Sequence, residues 1–169
     1  MPLTAHDLSV AAFVRGLINL KSLLMKGEAY ASASGIDAAE LLNAQLAGDM
    51  YNLAVQVHWA AEGAKLAASR LAGIETPLLA EAAKTFEGLY ERIDAAVAHL
   101  GSFKATDLEA GLGRTIEMRH RDRSMTFTGA QFLAEFAIPS FFFHVTTAYG
   151  ILRHKGVPIT KGDFLGSAP

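Results

Sequence analysis

The sequence predicts an all-α fold, a four-helix bundle that carries one small β-hairpin before its last helix. Two observations carry the helical part. Apolar residues recur at three-four spacing over four long segments, and cap and stop residues punctuate those segments. A third observation places the hairpin, because residues 102–127 drop the helical period, and Ile116 and Met118, like Met125 and Phe127, alternate with polar neighbours. At 169 residues the chain fits a single domain over 1–169, long enough to bury about 70% of the surface its unfolded form exposes.

Thr4 can cap the first helix, with Asp7 at its third position and Leu3 facing Leu8 as a hydrophobic staple. Val10, Phe13, Val14, Leu17, Leu20 and Leu24 form its core stripe, and the segment ending at Gly35 stops it. Asp37 and Glu40 open a short helical piece with Ile36 and Leu41 as its staple. A second long helix is expected from about Asp49 to Ala72, with Gly73 just past its end. Thr76 followed by Pro77 predicts the start of a third, since proline suits the first helical position. Its stripe is Ala82, Phe86, Leu89, Ile93, Val97 and Leu100, closed by Gly101.

The alternation then places Ile116, Met118, Met125 and Phe127 on the inner face of a hairpin with a charged tip at Arg119–Arg123. Thr128 and Gln131 make a capping box, and Phe127 with Phe132 a staple, for the fourth long helix. Gly156 and Pro158 close that helix, and the tail is expected to order if Phe164 docks.

Composition narrows the function classes. Hydrophobic residues make up 51% and charged residues 19%, an apolar surplus that points to a homodimer or higher oligomer. A formal charge of −2 argues against a nucleic-acid binder that works by phosphate neutralisation. The chain has no cysteine, hence no disulfide, thiolate nucleophile or cysteine metal site, which suits a cytoplasmic setting. MPLTAHDL has an early acid and no basic region before an apolar core, so it does not read as a targeting segment. The apolar run 136–152 is broken by Pro139, Ser140, His144, Thr146 and Thr147, short of the ~20 clean residues of a membrane span.

One segment concentrates the chemistry. In FAIPSFFFHVTTAYGILRHK, residues 136–155, His144 is a lone titratable group among Phe141, Phe142, Phe143 and Tyr149. It reads as a packed histidine bonded to a carbonyl or to Ser140, or as the first ligand of a buried site. The phenylalanine run cannot face one way on a helix, so part of it meets a dimer partner or an apolar ligand. Pro139 lacks an N–H and predicts a kink one turn before His144.

With LLNAQLAGDMYNLAVQV and RLAG on the second helix, FTGAQFL and FHVTTAYGILRHKGV on the fourth, and KGDFLG at the tail, the chain resembles the DinB/YfiT-like superfamily of metalloenzymes. More narrowly, it resembles a bacterial branch known as a domain of unknown function. The resemblance covers nearly the whole chain and implies a DinB-like bundle of the up-down-down-up type. It also implies a divalent metal held by one histidine on the second helix and two, a turn apart, on the fourth. Thiol-dependent transferases and isomerases are members. His144 matches the later of the two histidines, while Ser140 stands where the earlier one belongs. On the second helix His58 and Gln56 both lie near the ligand position.

Helix geometry allows one further set. His58 and Glu62 are four residues apart and share a face, so His58, Glu62 and His144 could hold zinc, nickel, iron or manganese if the second and fourth helices met there. Against this, Glu62 can pair with a neighbouring lysine and His58 can lie half-exposed beside Trp59. Ser140, Gln56 and Tyr149 are the expected lining of a ligand pocket. His99 and His154 fall in last turns, where a helix dipole favours a cation, and need no further role. No nucleophile elbow, phosphate-cradling glycine loop or HExxH occurs.

Two functions therefore stand as expectations. The first is a homodimer that binds a small, partly apolar ligand without a complete metal site. The alternative is a divalent-metal enzyme of thiol transferase, isomerase or hydrolase type, using His144 with His58 to activate a water or thiol.

Overall fold

A computed structural model describes residues 3–76, 81–120 and 123–166. It is mainly helical, with one two-stranded antiparallel hairpin. A π-helical stretch, Asp7–Ala11, runs directly into α1 (Ala12–Ser34). The Thr4 hydroxyl accepts from Asp7 N at 3.1 Å, and the Asp7 carboxylate accepts from Thr4 N at 3.0 Å, which closes the reciprocal cap read from the sequence. The staple does not form, because Leu3 and Leu8 are 75% and 43% exposed. Leu8 lies two residues before buried Val10, on nearly the opposite side of the helix.

Gly35 ends α1 at φ +67° and Gly73 ends the second long helix at φ +71°, both in the left-handed region that glycine adopts without penalty. Between them, Asp37 caps α2 (Ala38–Leu42) by accepting from Ala39 N. α3 (Leu53–Ala72) starts later than Asp49, because Asn52 caps it, accepting from Val55 N at 2.9 Å.

The third long helix, α4 (Phe86–Leu100), also starts later than expected. Thr85 caps it, accepting from Gly88 N, so Ala82 lies outside the helix, and Pro77 lies outside the described residues. The reason is an anchor further along. The Arg92 guanidinium donates to the Glu81 carbonyl and holds the preceding segment in a non-helical course.

α5 (Ala105–Gly111) lies in the stretch that drops the helical period and was not legible there. β1 (Thr115–His120) and β2 (Arg123–Thr128) then pair with Ile116 opposite Phe127 and Met118 opposite Met125. Ile116 and Met118 are buried and the other two pack against the core, as the alternation predicts. Arg121 and Asp122, at the tip, lie outside the described residues. Gly111 and Gly129 allow backbone to meet backbone here. A Cβ on either would fall 2.0 Å from a carbonyl oxygen, of Leu71 and of Gly111 respectively.

The capping box of Thr128 and Gln131 opens the last long helix. It runs as α6 (Gly129–Gln131), a π-helical stretch Phe132–Ala137, and α7 (Ile138–His154). Pro139 has no N–H to offer the preceding turn, and the irregularity expected there takes the form of this wide winding just before it. Phe127 stands 6.3 Å from Phe132, the expected staple. α8 (Lys161–Leu165) docks on α1. Phe164 meets Tyr149 at 5.7 Å, and Asn19 donates to the Phe164 carbonyl.

α1 packs against α4 and α7, and α3 packs against the same two helices from the other side. Phe13, Leu17, Leu20 and Leu24 of α1 meet Val57, Ala61, Leu71, Ile93 and Ile151 in one core. Gly16 lets Phe141 approach so closely that a Cβ would stand 2.6 Å from its ring. The continuous helix Asp7–Ser34 has the length and apolar composition of a membrane-crossing helix, but its stripe is buried within the fold.

Candidate functional site

Three faces of α3 organise the site, and the 100° advance per residue separates them. Leu53, Val57, Ala60, Ala64, Ala68 and Leu71 face the core. His58, Glu62, Lys65 and Ser69 recur at helical spacing along one flank. Trp59, Gly63, Leu66, Ala67 and Arg70 recur along the other, with Gln56 at its start.

The first flank meets α4 and is saturated by charge. Glu62, 1% exposed, accepts from Arg92 at 2.8 Å, and Lys65 Nζ lies 2.8 Å from its other oxygen. That second approach is a charge contact without hydrogen-bond alignment, so Oε2 has no donor properly aimed at it. His58 is buried with its Nδ1 unpaired and its ring edge-on to Trp59. Desolvation, then the nearby Arg92 charge, holds the His58 pKa below the usual histidine value. Further along, Ser69 and His99 are 3.2 Å apart, and burial lowers His99 as well.

The second flank opens onto a cavity of about 400 Å³ between α3 and the last long helix. Phe136, Ala137, Ser140, Phe141 and His144 line its far wall, and Met118 of the hairpin and Phe132 contribute near the end of α3. Gly63 makes room at the centre, since a Cβ there would meet nothing within 4 Å. Tyr51, 55% exposed, flanks the opening.

His144 has a defined role in this wall. Its Nδ1 is 2.7 Å from Gln56 Oε1, and Gln56 Nε2 donates to the Tyr51 carbonyl. With the amide oriented by that second bond, Oε1 can only accept, so Nδ1 carries the proton and Nε2 keeps its lone pair. Nε2 has no protein partner among the described residues. Burial pushes the imidazole pKa below its ordinary 6.5 and keeps the ring neutral at pH 7.

Arg70 marks the opposite end. Its guanidinium lies over the Phe132 ring, 6.0 Å from the centroid, and forms no ion pair among the described residues. Burial lowers its pKa, yet guanidinium stays charged at any working pH.

The residues predicted from sequence thus separate. Gln56, Ser140 and His144 belong to one region, the cavity and the support behind it. Gln56 and His58 are two residues apart, about 200° around the helix, so one alone can meet α7, and it is Gln56. His58, Glu62 and His144 form no metal-holding group among the described residues. Tyr149 is not part of the cavity lining; its ring packs on Phe164 of the tail. Of the phenylalanine run, Phe141 is buried against Phe13, Phe142 is half-buried, and Phe143 is 56% exposed. Arg70, Trp59 and Gly63 escaped the sequence reading, although their spacing continues the stripe that begins at Gln56.

Together these features define a helical protein with a mostly apolar chamber between two long helices and one oriented, neutral histidine in its wall. Residues 5–165 match the family described as a domain of unknown function, DUF1993, and the chain belongs to that family. It is also similar to a solved structure of a DinB family member protein from Shewanella denitrificans. The two are 37% identical, with 97% of this chain and 93% of that one covered and a TM-score of 0.88. The resemblance seen in FTGAQFL and FHVTTAYGILRHKGV is therefore borne out. No curated protein matches the chain.

Proposed function

We propose that this chain is one DinB-like bundle domain over residues 1–169, of the up-down-down-up type, that binds a small, partly apolar ligand between α3 and α7. The observation that carries this reading is the Gln56–His144 hydrogen bond at the wall of the cavity. An amide at that position fixes the imidazole tautomer and leaves Nε2 as an acceptor for a ligand hydroxyl, thiol or amide. The chamber is within the size range of small-molecule sites, and its few polar groups stand among apolar walls.

The donor set does not fit the metal that the wider superfamily implies. One imidazole, a hydroxyl at Ser140 and an amide already bonded to that imidazole offer no carboxylate, and Glu62 is engaged by Arg92 and Lys65 on the other flank. His144 therefore acts here by accepting a hydrogen bond.

Trp59, the only tryptophan in the chain, lines the cavity and reports on it. Titration with 1-decanol is expected to shift its emission saturably, and Gly63→Leu, which fills the centre, to abolish the shift while the protein stays folded. Emission that never responds, or responds equally in the variant, would remove the reading. Near-stoichiometric metal in protein purified without chelator, lost in His144→Ala, would restore the metal enzyme.

Tyr51, at the cavity opening, and Phe143, the neighbour of His144 in sequence, are exposed aromatics, and we assign them to a homodimer contact. A monomer mass by light scattering at micromolar concentration defeats that assignment. Cytoplasmic residence, without nucleic acid or membrane as partner, completes the proposal.

A further inference from the structure

The cavity has a polar group at each end and an apolar middle. Gln56 meets His144 near one end, and Arg70 lies over Phe132 at the other, so the two helical walls run antiparallel. Arg70 follows Gln56 by fourteen residues on α3, about 21 Å along the axis at 1.5 Å per residue. Between them the walls are Leu66, Ala67, Phe136 and Ala137, with Gly63 leaving space.

A guanidinium half-sunk in such a wall, with no acid paired to it among the described residues, is an electrostatic vacancy of one unit. We infer that the cavity takes an elongated amphiphilic monoanion, a carboxylate on a chain of medium length, with its carboxylate on Arg70 and its body lying toward His144. This rests on the ligand-binding reading above and adds the chemical class of the ligand. A carboxylate matches guanidinium in charge and in its two-pronged geometry. A dianion such as a phosphate monoester would leave one charge uncompensated against Phe132 and Met118. The lone pair of His144 Nε2 then selects a hydrogen-bond donor on the far part of the ligand.

The test compares decanoate with 1-decanol, which share a chain and differ in charge, by Trp59 emission at neutral pH. Decanoate is expected to bind the unaltered protein more tightly, and added salt to weaken decanoate but not decanol. Arg70→Met keeps an apolar stem of similar reach. It is expected to weaken decanoate by about tenfold or more and to leave decanol unchanged, which also shows that the variant is folded. Equal binding of the two by the unaltered protein overturns the inference and leaves the pocket standing. So does a variant that keeps decanoate, or one that loses both ligands alike. If neither ligand binds the unaltered protein, the inference and the pocket reading fall together.

Discussion

On the α4 side of α3, polar side chains are neutralised by one another; on the α7 side, comparable side chains face a chamber. Glu62 is almost fully buried and held by two cations, while Arg70, two turns further along, has no acid within reach among the described residues. His58 lies among charges with an idle ring nitrogen, whereas one hydrogen bond orients His144 toward a cavity. The same helix thus carries a structural polar flank and a receptive one, set apart by helical phase alone. Richness in titratable groups marks the structural flank, where burial and ion pairs close the groups off, and the flank that can bind is the one that faces open space.

The comparison breaks first at Glu62. Glu62→Ala leaves Arg92 and Lys65 in a low-dielectric setting without their acid and should cost about 3–5 kcal/mol in urea unfolding. A loss under about 1 kcal/mol would show that this flank is not structural. On the other side, Gln56→Leu removes the acceptor of His144 Nδ1 and should cost about 1–2 kcal/mol. ¹⁵N spectra should change from one imidazole tautomer to a mixture of two, and an unchanged spectrum would mean that Gln56 does not orient the ring.

Acid should strain both flanks. His58, His99 and His144 all have folded pKa values below the ordinary 6.5, so the unfolded chain binds protons that the folded one refuses. Stability is then complete above pH 6.5 and falls as pH drops below it. Tm measured from pH 7.5 to 5 should decline, and a flat profile contradicts the neutral assignment. The smallest effect is a gain. Gly63→Ala adds a methyl to open space in a helix and should stabilise by about 0.5–1 kcal/mol, read as a modest rise in Tm.

Features that depend on neighbours in sequence were legible in advance. The Thr4–Asp7 and Thr128–Gln131 caps, the stops at Gly35 and Gly73, and the hairpin with its inner face all follow from local hydrogen bonding and period. The start of α4 did not, because Arg92 reaches back to the Glu81 carbonyl and overrides the local signal of Thr76 and Pro77. α5 is a seven-residue helix held mainly against α3, so its own sequence carries little signal.

The site was half legible for a geometric reason. Spacing shows that His58 and Glu62 share a face, and equally that Gln56 does not share it. Which face meets α7 is a rotational choice fixed by packing across the core. Arg70 became visible only once the lack of an acid opposite it was known, and a sequence cannot display a missing partner across space.

The π-helical stretch Phe132–Ala137 has a consequence for insertions and deletions. Such a stretch holds one more residue than an α-helix making the same number of turns, so it is the place where this helix stores a surplus residue. Removing Ala134, which is exposed, would let the segment rewind as ordinary α-helix with the same number of turns, so the residues on either side would keep their phase. Phe132 would keep its place beneath Arg70, and the hairpin that precedes Gly129 would stay seated. The same deletion inside α7, which stores no surplus, would turn one end of the helix by about 100° against the other, so the wide turn is where this wall of the chamber tolerates a change in length.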